Sequence, residues 1–420
     1  MTSFQAPTGT RDILAPESAR WSYLIGVFAS MAERAGYGLL ISPMFEDAGV
    51  FRRGVGEDSD VVTKEMYEFK DKGGRTLALR PEGTASVVRA YAQHRPQVPW
   101  KVWLVTPAFR YERPQRGRFR QHHQLGAEAL GSGDPDLDVE VIALLDGFYR
   151  RLGLRRFELR VNSMGDRRCL PAYKDELMAF LELHAFELCD EHRARFSKNP
   201  LRVLDCKKPE CNAVRKEAPK LSDAWCEDCS AHFARVKSGL SALSIPWSED
   251  EYLVRGFDYY TRTTFEFSSK ALDAAQDAIG GGGRYDGLAG LLGAPETPGI
   301  GFGAGIERIL SACDAEGLLN DIDFGPQVFV VDLTGGTNAL LITSELHRAG
   351  LRADRAFDDR SLKAQLRQAD RSGARLAVIV GETEDEEETV MLRELRGKPV
   401  HRQEHYPRAL LVQHVKDWLS

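Results

Sequence analysis

The sequence predicts a protein of mixed α and β structure with more than one domain, and three observations lead to this prediction. The chain has 420 residues, of which 43% are hydrophobic, so it is long enough to form at least two cores. Strand and helix patterns mix irregularly up to residue 325 and alternate regularly over 326–420. Residues 167–247 interrupt the first part with charged helical sequence, which we interpret as an insertion.

The first part of the chain begins with a helical pattern over Pro16–Ala35. The apolar segment GYGLLISPMFE follows, and it predicts a short strand that ends at Pro43. After the insertion, strand-like and glycine-rich sequence resumes at Tyr252 and ends in a predicted helix, GIERILSACDAEGLL.

The last part of the chain has an orderly pattern. Apolar strands at QVFVVDL, LRADRAF and ARLAVIVGE alternate with helices that run to His347 and over Ser361–Ala369. This alternation predicts a small α/β domain with an open sheet over 326–420. We interpret its acidic run EDEEE, Glu384 to Glu388, as a solvated loop.

Charge and composition narrow the class of protein only in part. The net charge of -6 gives no overall attraction for nucleic acid, so a polyanionic partner would have to meet a local basic patch. The N-terminal sequence has no basic segment followed by an apolar run, and no segment has the length of a membrane span. We therefore expect a cytoplasmic protein with no membrane partner.

The seven cysteines are more consistent with thiols or metal ligands than with a disulfide framework. Cys206 and Cys211 are separated by four residues, and Cys226 and Cys229 by two, all within the insertion. Together these four could supply four thiolates to a structural zinc. Free thiols are the alternative, and the looser spacing of the first pair favours them.

A predicted hairpin carries an unusual density of positive charge. The strands WLVTPAFRYER and RQHHQLGAEAL are joined by the loop PQRGRF. Alternation places Arg110 and Glu112 on one face of the first strand, and Gln124, Gly126 and Glu128 on one face of the second. Five arginines lie within eleven residues: Arg110, Arg113, Arg116, Arg118 and Arg120. A phosphate site and a solvated hairpin with cross-strand charge pairs are both compatible with this pattern.

Three further segments carry candidate binding groups. LALRPEGTASVVRAY places Glu82 and Thr84 where a strand meets a helix, so these residues either cap the helix or present polar groups to a ligand. LVRGFDYYTRTTFEF places Arg255 at the irregular start of a strand. In GIGFGAGIERIL, alternate glycines leave one strand face bare, and Arg308 follows in the first helical turn, where anions are favoured.

The order of these segments resembles class II aminoacyl-tRNA synthetases, and in particular the histidyl-tRNA synthetase family. The strand ending at Pro43, FRYER with its returning strand, and GIGFGAGIERIL resemble the three motifs of the class. RGFDYYTRTTFEF and GGGRYDGL resemble sequences particular to the histidine family, as do TGTRDILAPE and LALRPEGT. The likeness covers nearly the whole chain.

The resemblance implies a catalytic domain over 1–325, built on an antiparallel sheet flanked by helices and dimeric through its first motif. It implies a helical insertion over 167–247 and an anticodon-binding α/β domain over 326–420. The implied reaction activates L-histidine with ATP and Mg²⁺ to histidyl-adenylate and pyrophosphate. The histidyl group then moves to the 3′ end of histidine tRNA.

The resemblance also implies roles for the residues of the nucleotide site. Arg110 contacts the α-phosphate and the attacking carboxylate, and Arg308 holds the γ-phosphate. Arg255 faces the α-phosphate from the opposite side as a fixed cation. The remaining implied ATP-binding residues are Glu112, Arg118 and His122. His122 departs from the family pattern, in which an aromatic residue at this position stacks on adenine.

Histidine binding is assigned by the same resemblance. Glu128 and Tyr260 offer an acceptor and a hydroxyl to the two ring nitrogens, and such a site rejects side chains that lack them. Glu82, Thr84 and Gln124 match positions that hold the α-amino group. Tyr285 and Arg255 complete the implied histidine site, and Tyr259 shapes its wall.

Other functions remain open at this point. A non-aminoacylating relative that senses histidine as a regulatory subunit of histidine biosynthesis would have lost the phosphate-binding arginines, whereas Arg110, Arg255 and Arg308 are all present. The same three residues argue against a tRNA-binding module without catalysis. Glu128 and RGFDYY argue against a synthetase for threonine, proline or glycine.

Overall fold

The computed structural model describes residues 4–57, 59–115, 117–206, 208–273, 277–322, 325–358, 360–396 and 402–420. It divides into two compact units, Met1–Asp321 and Ile322–Ser420. Within the described ranges, no helix is both long and apolar enough to cross a bilayer.

The first unit contains a large sheet and a small one. Its strands are β1 (Gly38–Leu39), β2 (Phe45–Asp47), β3 (Glu68–Lys70), β4 (Thr76–Leu79), β5 (Trp100–Phe109), β6 (Gln121–Leu130), β7 (Phe157–Ser163), β8 (Ser248–Glu249), β9 (Thr261–Ser269), β10 (Ala278–Arg284) and β11 (Gly299–Gly305). The large sheet has the order β1-β5-β6-β11-β10-β9-β7-β8, and the small sheet has the order β2-β4-β3.

Helices surround these sheets. They are α1 (Glu17–Arg34), α2 (Ala48–Val55), α3 (Thr84–His94), α4 (Pro135–Arg151), α5 (Leu170–Leu183), α6 (Asp190–Arg193), α7 (Leu201–Leu204), α8 (Pro209–Glu217), α9 (Glu227–Ala242), α10 (Leu288–Leu291) and α11 (Ile306–Ala315). Short 3₁₀ turns lie at Ala185–Glu187 and Leu221–Ala224, and a π-helical turn lies at Val61–Glu65.

The predicted antiparallel sheet is confirmed. All pairings from β5 through β6, β11, β10 and β9 to β7 are antiparallel, and only the two short outer strands run parallel to their neighbours. The helix predicted over Pro16–Ala35 is α1, and its buried residues Trp21, Leu24, Phe28 and Ala32 recur at helical spacing. These side chains pack on the sheet and cover one of its faces.

The insertion has a small core of its own. Its short helices bury Tyr173, Leu177 and Leu181 of α5 against Val203 and Leu204 of α7. Leucines and valines form most of this core, and Cys189, Cys206 and Cys211 are buried among them.

The second unit is an α/β domain with one open sheet, as the alternation of strands and helices predicts. Its elements are β12 (Val328–Asp332), α12 (Thr337–Arg348), β13 (Ala353–Arg355), α13 (Leu362–Arg371), β14 (Leu376–Val380), α14 (Glu382–Glu386), β15 (Thr389–Glu394), β16 (Gln403–Pro407), a 3₁₀ turn (Arg408–Leu410) and α15 (Leu411–Leu419). The order is β13-β12-β14-β15-β16, with the first three strands parallel and the last two antiparallel.

Alternate residues of β12 face opposite sides of this sheet. Val328 and Val330 pack under α12 and α15, whereas Phe329 and Val331 pack under α13. Residues 385–388 of the acidic run are exposed as expected, whereas Glu384 is half-buried, and the prediction of a loop is wrong because the first part of the run completes α14. The Glu384 carboxylate accepts the Gly381 N–H at 2.9 Å and so caps that helix.

Candidate active site

A polar cleft lies over strands β6, β10 and β11 of the large sheet. Its inner chamber has a volume of about 420 Å³, and its outer chamber has a volume of about 270 Å³. Both chambers are lined by Arg110, Arg255 and Gln124, so they form one continuous cleft. The structure therefore brings together residues from four separate segments of the sequence.

Glu128 is the central side chain of the inner chamber. It is only 2% exposed, and its two oxygens accept hydrogen bonds from the Thr84 hydroxyl and the Tyr285 hydroxyl, each at 2.6 Å. Burial raises the pKa of Glu128 to about 8, although both hydrogen bonds oppose that rise. Any side chain at position 301 would collide with this carboxylate, which explains the glycine there.

Glu82 combines two roles that the sequence leaves as alternatives. Its carboxylate caps α3 by accepting the N–H groups of Thr84 at 2.6 Å and Ala85 at 2.8 Å. It also lines the inner chamber with Thr84, Tyr259 and Tyr260. Burial raises the pKa of Glu82, and the capping bonds oppose that rise. Tyr285 reaches the site through its bond to Glu128.

Three arginines line the cleft: Arg110 and Arg255 line both chambers, and Arg308 lines the outer chamber. Arg110 donates from Nε to the Pro81 carbonyl oxygen at 2.9 Å, and Arg308 donates to the Ala278 carbonyl oxygen at 3.0 Å. Burial lowers the pKa of both guanidinium groups, and Arg118 lowers that of Arg308 further. Their positive charge is thus incompletely balanced by the protein, which favours an anionic ligand.

Arg255 is held differently from the other two arginines. Its Nη1 donates to the Glu266 carboxylate at 2.9 Å, and its guanidinium lies 6.0 Å from the centre of the Tyr260 ring. A side chain at position 281 would approach the Arg255 guanidinium to 2.7 Å. The glycine-rich strand β10 therefore leaves the space that this side chain occupies.

The arginine hairpin differs from its prediction at one end. Strand β5 ends at Phe109, so Arg110 and Glu112 lie in the loop beyond it, and the predicted shared strand face is wrong. The Arg110 N–H still bonds the Arg120 carbonyl across the hairpin, but the Glu112 N–H turns back to the Arg110 carbonyl and so ends the pairing. Glu112 forms an ion pair with Arg118, and Arg116 lies outside the described residues.

The returning strand β6 is as predicted. Gln124 and Glu128 face the cleft, and His122 faces the outer chamber from the same side of the strand. Burial and the nearby positive charge of Arg110 lower the pKa of His122 to about 3. Its imidazole is therefore neutral at physiological pH, which suits stacking on a flat base.

The predicted set of four zinc-binding cysteines is wrong. Cys206 and Cys211 lie with Cys189 and His192, whereas Cys226 and Cys229 lie elsewhere, with Asp166 and Cys169. The two pairs lie in different parts of the insertion: Cys211 lies in α8 and Cys229 in α9, with a 3₁₀ turn between the two helices.

Sequence reasoning missed several residues of the cleft. Arg202 of α7 lines the inner chamber and donates to the Gly256 carbonyl at 2.8 Å. Phe257 lies under the Arg110 guanidinium, 5.5 Å from it. Asp60 and Glu65 reach the same chamber from the segment before β3. Arg202 is one of many charged residues in the insertion, so no local signal marks it.

Comparison with known proteins places these features in a family. The family described as histidyl-tRNA synthetase matches residues 9–309, and an anticodon-binding domain family matches residues 327–418. A histidine–tRNA ligase of Moorella thermoacetica is 46% identical over 98% of this chain and 97% of its own length. A histidine–tRNA ligase of Halothermothrix orenii is 47% identical over 90% of this chain and 92% of its own.

A solved structure agrees with these matches. The apo histidyl-tRNA synthetase of S. aureus has a TM-score of 0.81 and 34% identity, and the match covers 99% of this chain and all of that one. The matched families, the relatives and the solved structure all cover both units of the chain. The chain belongs to the histidyl-tRNA synthetase family.

Proposed function

We propose that this chain joins histidine to its tRNA in two steps and that the cleft performs both. In the first step, a carboxylate oxygen of histidine attacks the α-phosphorus of ATP, and pyrophosphate leaves. In the second step, the 3′-terminal ribose of the tRNA attacks the histidyl carbonyl, and AMP leaves. The observation that carries the proposal is one cleft with the buried Glu128 carboxylate in its inner chamber and with Arg110, Arg255 and Arg308 around its outer chamber.

The inner chamber is assigned to histidine. Glu128 and the Tyr260 hydroxyl would pair with the two nitrogens of the imidazole ring, and Glu82, Thr84 and Gln124 would hold the α-amino group. Thr84 and Tyr285 fix the orientation of Glu128, so its pairing geometry exists before histidine binds. Amino acids without a ring nitrogen would leave buried polar groups unpaired, which is costly.

The outer chamber is assigned to ATP, which binds with Mg²⁺ as its substrate complex. Arg308 would hold the γ-phosphate, Arg110 the α-phosphate, and Glu112 and Arg118 the remainder of the nucleotide. Arg255 would face the α-phosphate from the other side, held there by Glu266. Fixed cations of this kind stabilise charge that develops in the transition state and need no reorganisation.

The adenine ring is assigned to His122. A phenylalanine would stack more strongly than an imidazole, because its ring is larger and more apolar. We expect His122→Phe to lower the KM for ATP by about threefold to tenfold, with little change in the KM for histidine. Steady-state pyrophosphate exchange measures both constants. An unchanged or raised KM for ATP would contradict the assignment.

We further propose a function for each domain of the chain. Residues 1–325 form the catalytic domain, 167–247 its insertion, and 326–420 the domain that reads the anticodon. Because the tRNA substrate is cytoplasmic, we assign the protein to the cytoplasm.

A homodimer is proposed from the exposed apolar residues of the first motif. Ile41 is 84% exposed, and Met44 and Phe45, which follow it closely in the sequence, are exposed too. Phe69, in the small sheet with Phe45, is also exposed. Such a patch is typical of an interface between subunits. We expect Ile41→Asp to convert the dimer to a monomer at micromolar concentration, as analytical ultracentrifugation would measure.

A matched control is available in the insertion. Phe186 is 90% exposed, so Phe186→Asp also replaces a highly exposed apolar side chain by a negative charge, but outside the first motif. This variant should remain dimeric. Dissociation of both variants, or of neither, would contradict the assigned interface.

The alternative of a histidine-sensing regulatory subunit makes a different prediction. A sensor would bind histidine but would not charge tRNA. We expect the purified chain to transfer radiolabelled histidine to histidine tRNA in the presence of ATP and Mg²⁺. Histidine binding without any charged tRNA would favour the sensor and contradict the proposed function.

A further inference from the structure

Six of the seven cysteines lie in two compact clusters of metal-ligating groups within the first unit. One cluster joins Cys189, Cys206 and Cys211 with His192, and the other joins Cys169, Cys226 and Cys229 with Asp166. In each cluster, the ligand atoms all lie within 4.8 Å of one another. Neither cluster has a role in the proposed reaction.

The first cluster has the dimensions of a tetrahedral zinc site. The Nδ1 atom of His192 lies 3.1 Å from the sulfur of Cys189 and 3.8 Å from that of Cys211. In a tetrahedral zinc site, a sulfur and a nitrogen ligand lie about 3.6 Å apart, given the usual bond lengths. The Cys189 N–H also donates to the Cys211 sulfur at 3.4 Å, a contact that stabilises a thiolate.

The second cluster reaches similar dimensions with a carboxylate as its fourth group. The sulfurs of Cys169 and Cys229 are 3.7 Å apart, and two sulfur ligands of one zinc are about 3.8 Å apart. This separation is far from the length of about 2.0 Å for a disulfide bond. The Cys226 N–H donates to the Cys169 sulfur at 3.2 Å.

Charge around the second cluster is partly balanced. Asp166 turns Oδ1 towards the Cys169 sulfur at 3.3 Å, while its Oδ2 pairs with Arg168 at 2.8 Å. Arg168 also lies 3.4 Å from the Cys226 sulfur. Three thiolates and a carboxylate around Zn²⁺ carry excess negative charge, and this guanidinium offsets part of it.

The architecture of the insertion supplies a physical reason for metal sites. Its helices α6 and α7 have only four residues each, and its buried core is small and contains several of the clustered cysteines. Short helices of this kind are not stable without tertiary contacts, and small cores are commonly completed by metals. A zinc ion at each cluster would add a further link between these segments.

We propose that each chain binds two structural zinc ions, one at Cys189, His192, Cys206 and Cys211 and one at Asp166, Cys169, Cys226 and Cys229. The first ion fixes α7, which carries Arg202 into the inner chamber of the cleft. Zinc at this cluster therefore supports the wall of the proposed histidine site without contacting substrate. Tetrahedral sets of thiolates with one nitrogen or oxygen select zinc among the common divalent ions.

The test is elemental analysis of the full-length protein, purified without a chelator and without a polyhistidine tag. We expect two zinc ions per chain by mass spectrometry. Cys211→Ser and Cys229→Ser should each retain one zinc ion, whereas the matched control Cys313→Ser should retain two, because Cys313 lies in the large core away from both clusters.

A second measurement needs no variant and so does not depend on variant folding. Treatment of the wild-type protein with a mercurial thiol reagent should release two zinc ions, detected with a colorimetric chelator. Protein that contains no zinc, or contains iron instead, would overturn the proposal. If the wild-type protein contains only one zinc ion, the cysteine variant that still contains one ion identifies the cluster that is not a zinc site.

Discussion

Replacing Arg255 with alanine is expected to slow histidyl-adenylate formation by about a thousandfold, because a preorganised cation near the α-phosphate would be lost. The side chain is held by Glu266 at 2.9 Å and faces both chambers of the cleft. Its charge acts mainly as negative charge develops on the phosphate, so the affinity for histidine should change by only a few-fold. Single-turnover formation of the adenylate measures the first quantity, and equilibrium dialysis measures the second.

The structure offers a matched control for this variant. Arg160 binds the other oxygen of Glu266 at 2.7 Å but does not line either chamber. Arg160→Ala therefore removes a guanidinium from the same carboxylate without removing charge from the cleft. We expect its adenylation rate to stay within about tenfold of the wild-type rate. Equal losses in both variants would mean that Arg255 acts through Glu266 and the fold rather than on the phosphate.

Replacing Glu128 with glutamine is expected to raise the KM for histidine by about a hundredfold, since the buried partner of the substrate ring loses one of its two acceptor oxygens. In the wild-type protein, the hydroxyls of Thr84 and Tyr285 each donate to one carboxylate oxygen. The amide of the variant has the same size, but it presents an NH₂ group to one of these two donors. The KM for ATP should change little, because the outer chamber is untouched. Pyrophosphate exchange at varied histidine and ATP measures both constants.

Two further variants distinguish a specific loss of histidine binding from a general disruption of the cleft. Tyr285→Phe removes one hydrogen bond to Glu128 and leaves the carboxylate in place, so it should raise the KM for histidine by only about tenfold. Glu112→Gln should affect ATP rather than histidine, because Glu112 pairs with Arg118 in the loop of the hairpin. Similar defects for both substrates in all three variants would argue against separate sites for histidine and ATP.

The sequence predicts those parts of the cleft that follow from local periodicity. Alternation along β6 places Gln124 and Glu128 on one face, and the junction before α3 places Glu82 beside the helix N-terminus. Both features depend on neighbours in the sequence, so the residue pattern specifies them. The predicted strand positions of Arg110 and Glu112 are wrong because β5 ends at Phe109, four residues before the predicted end at Arg113.

Long-range partners are not predictable in this way. The bond between Glu128 and Tyr285 joins residues 157 positions apart, and it depends on how β11 pairs with both β6 and β10. The predicted group of four cysteines is wrong for the same reason. Spacing along the chain does not reveal that Cys211 lies beside Cys189 and not beside Cys226. Arg202 lines the cleft through a long-range contact as well, since it bonds the Gly256 carbonyl 54 positions away.

Exchange of labelled pyrophosphate into ATP, run with each of the twenty amino acids in turn, tests the central claim most directly. The reaction requires an amino-acid carboxylate to be aligned with the α-phosphorus of bound ATP, and it needs no tRNA. We predict exchange with histidine alone, because only its ring pairs with both Glu128 and Tyr260. Exchange with another amino acid, or no exchange with histidine, would contradict the account of this cleft.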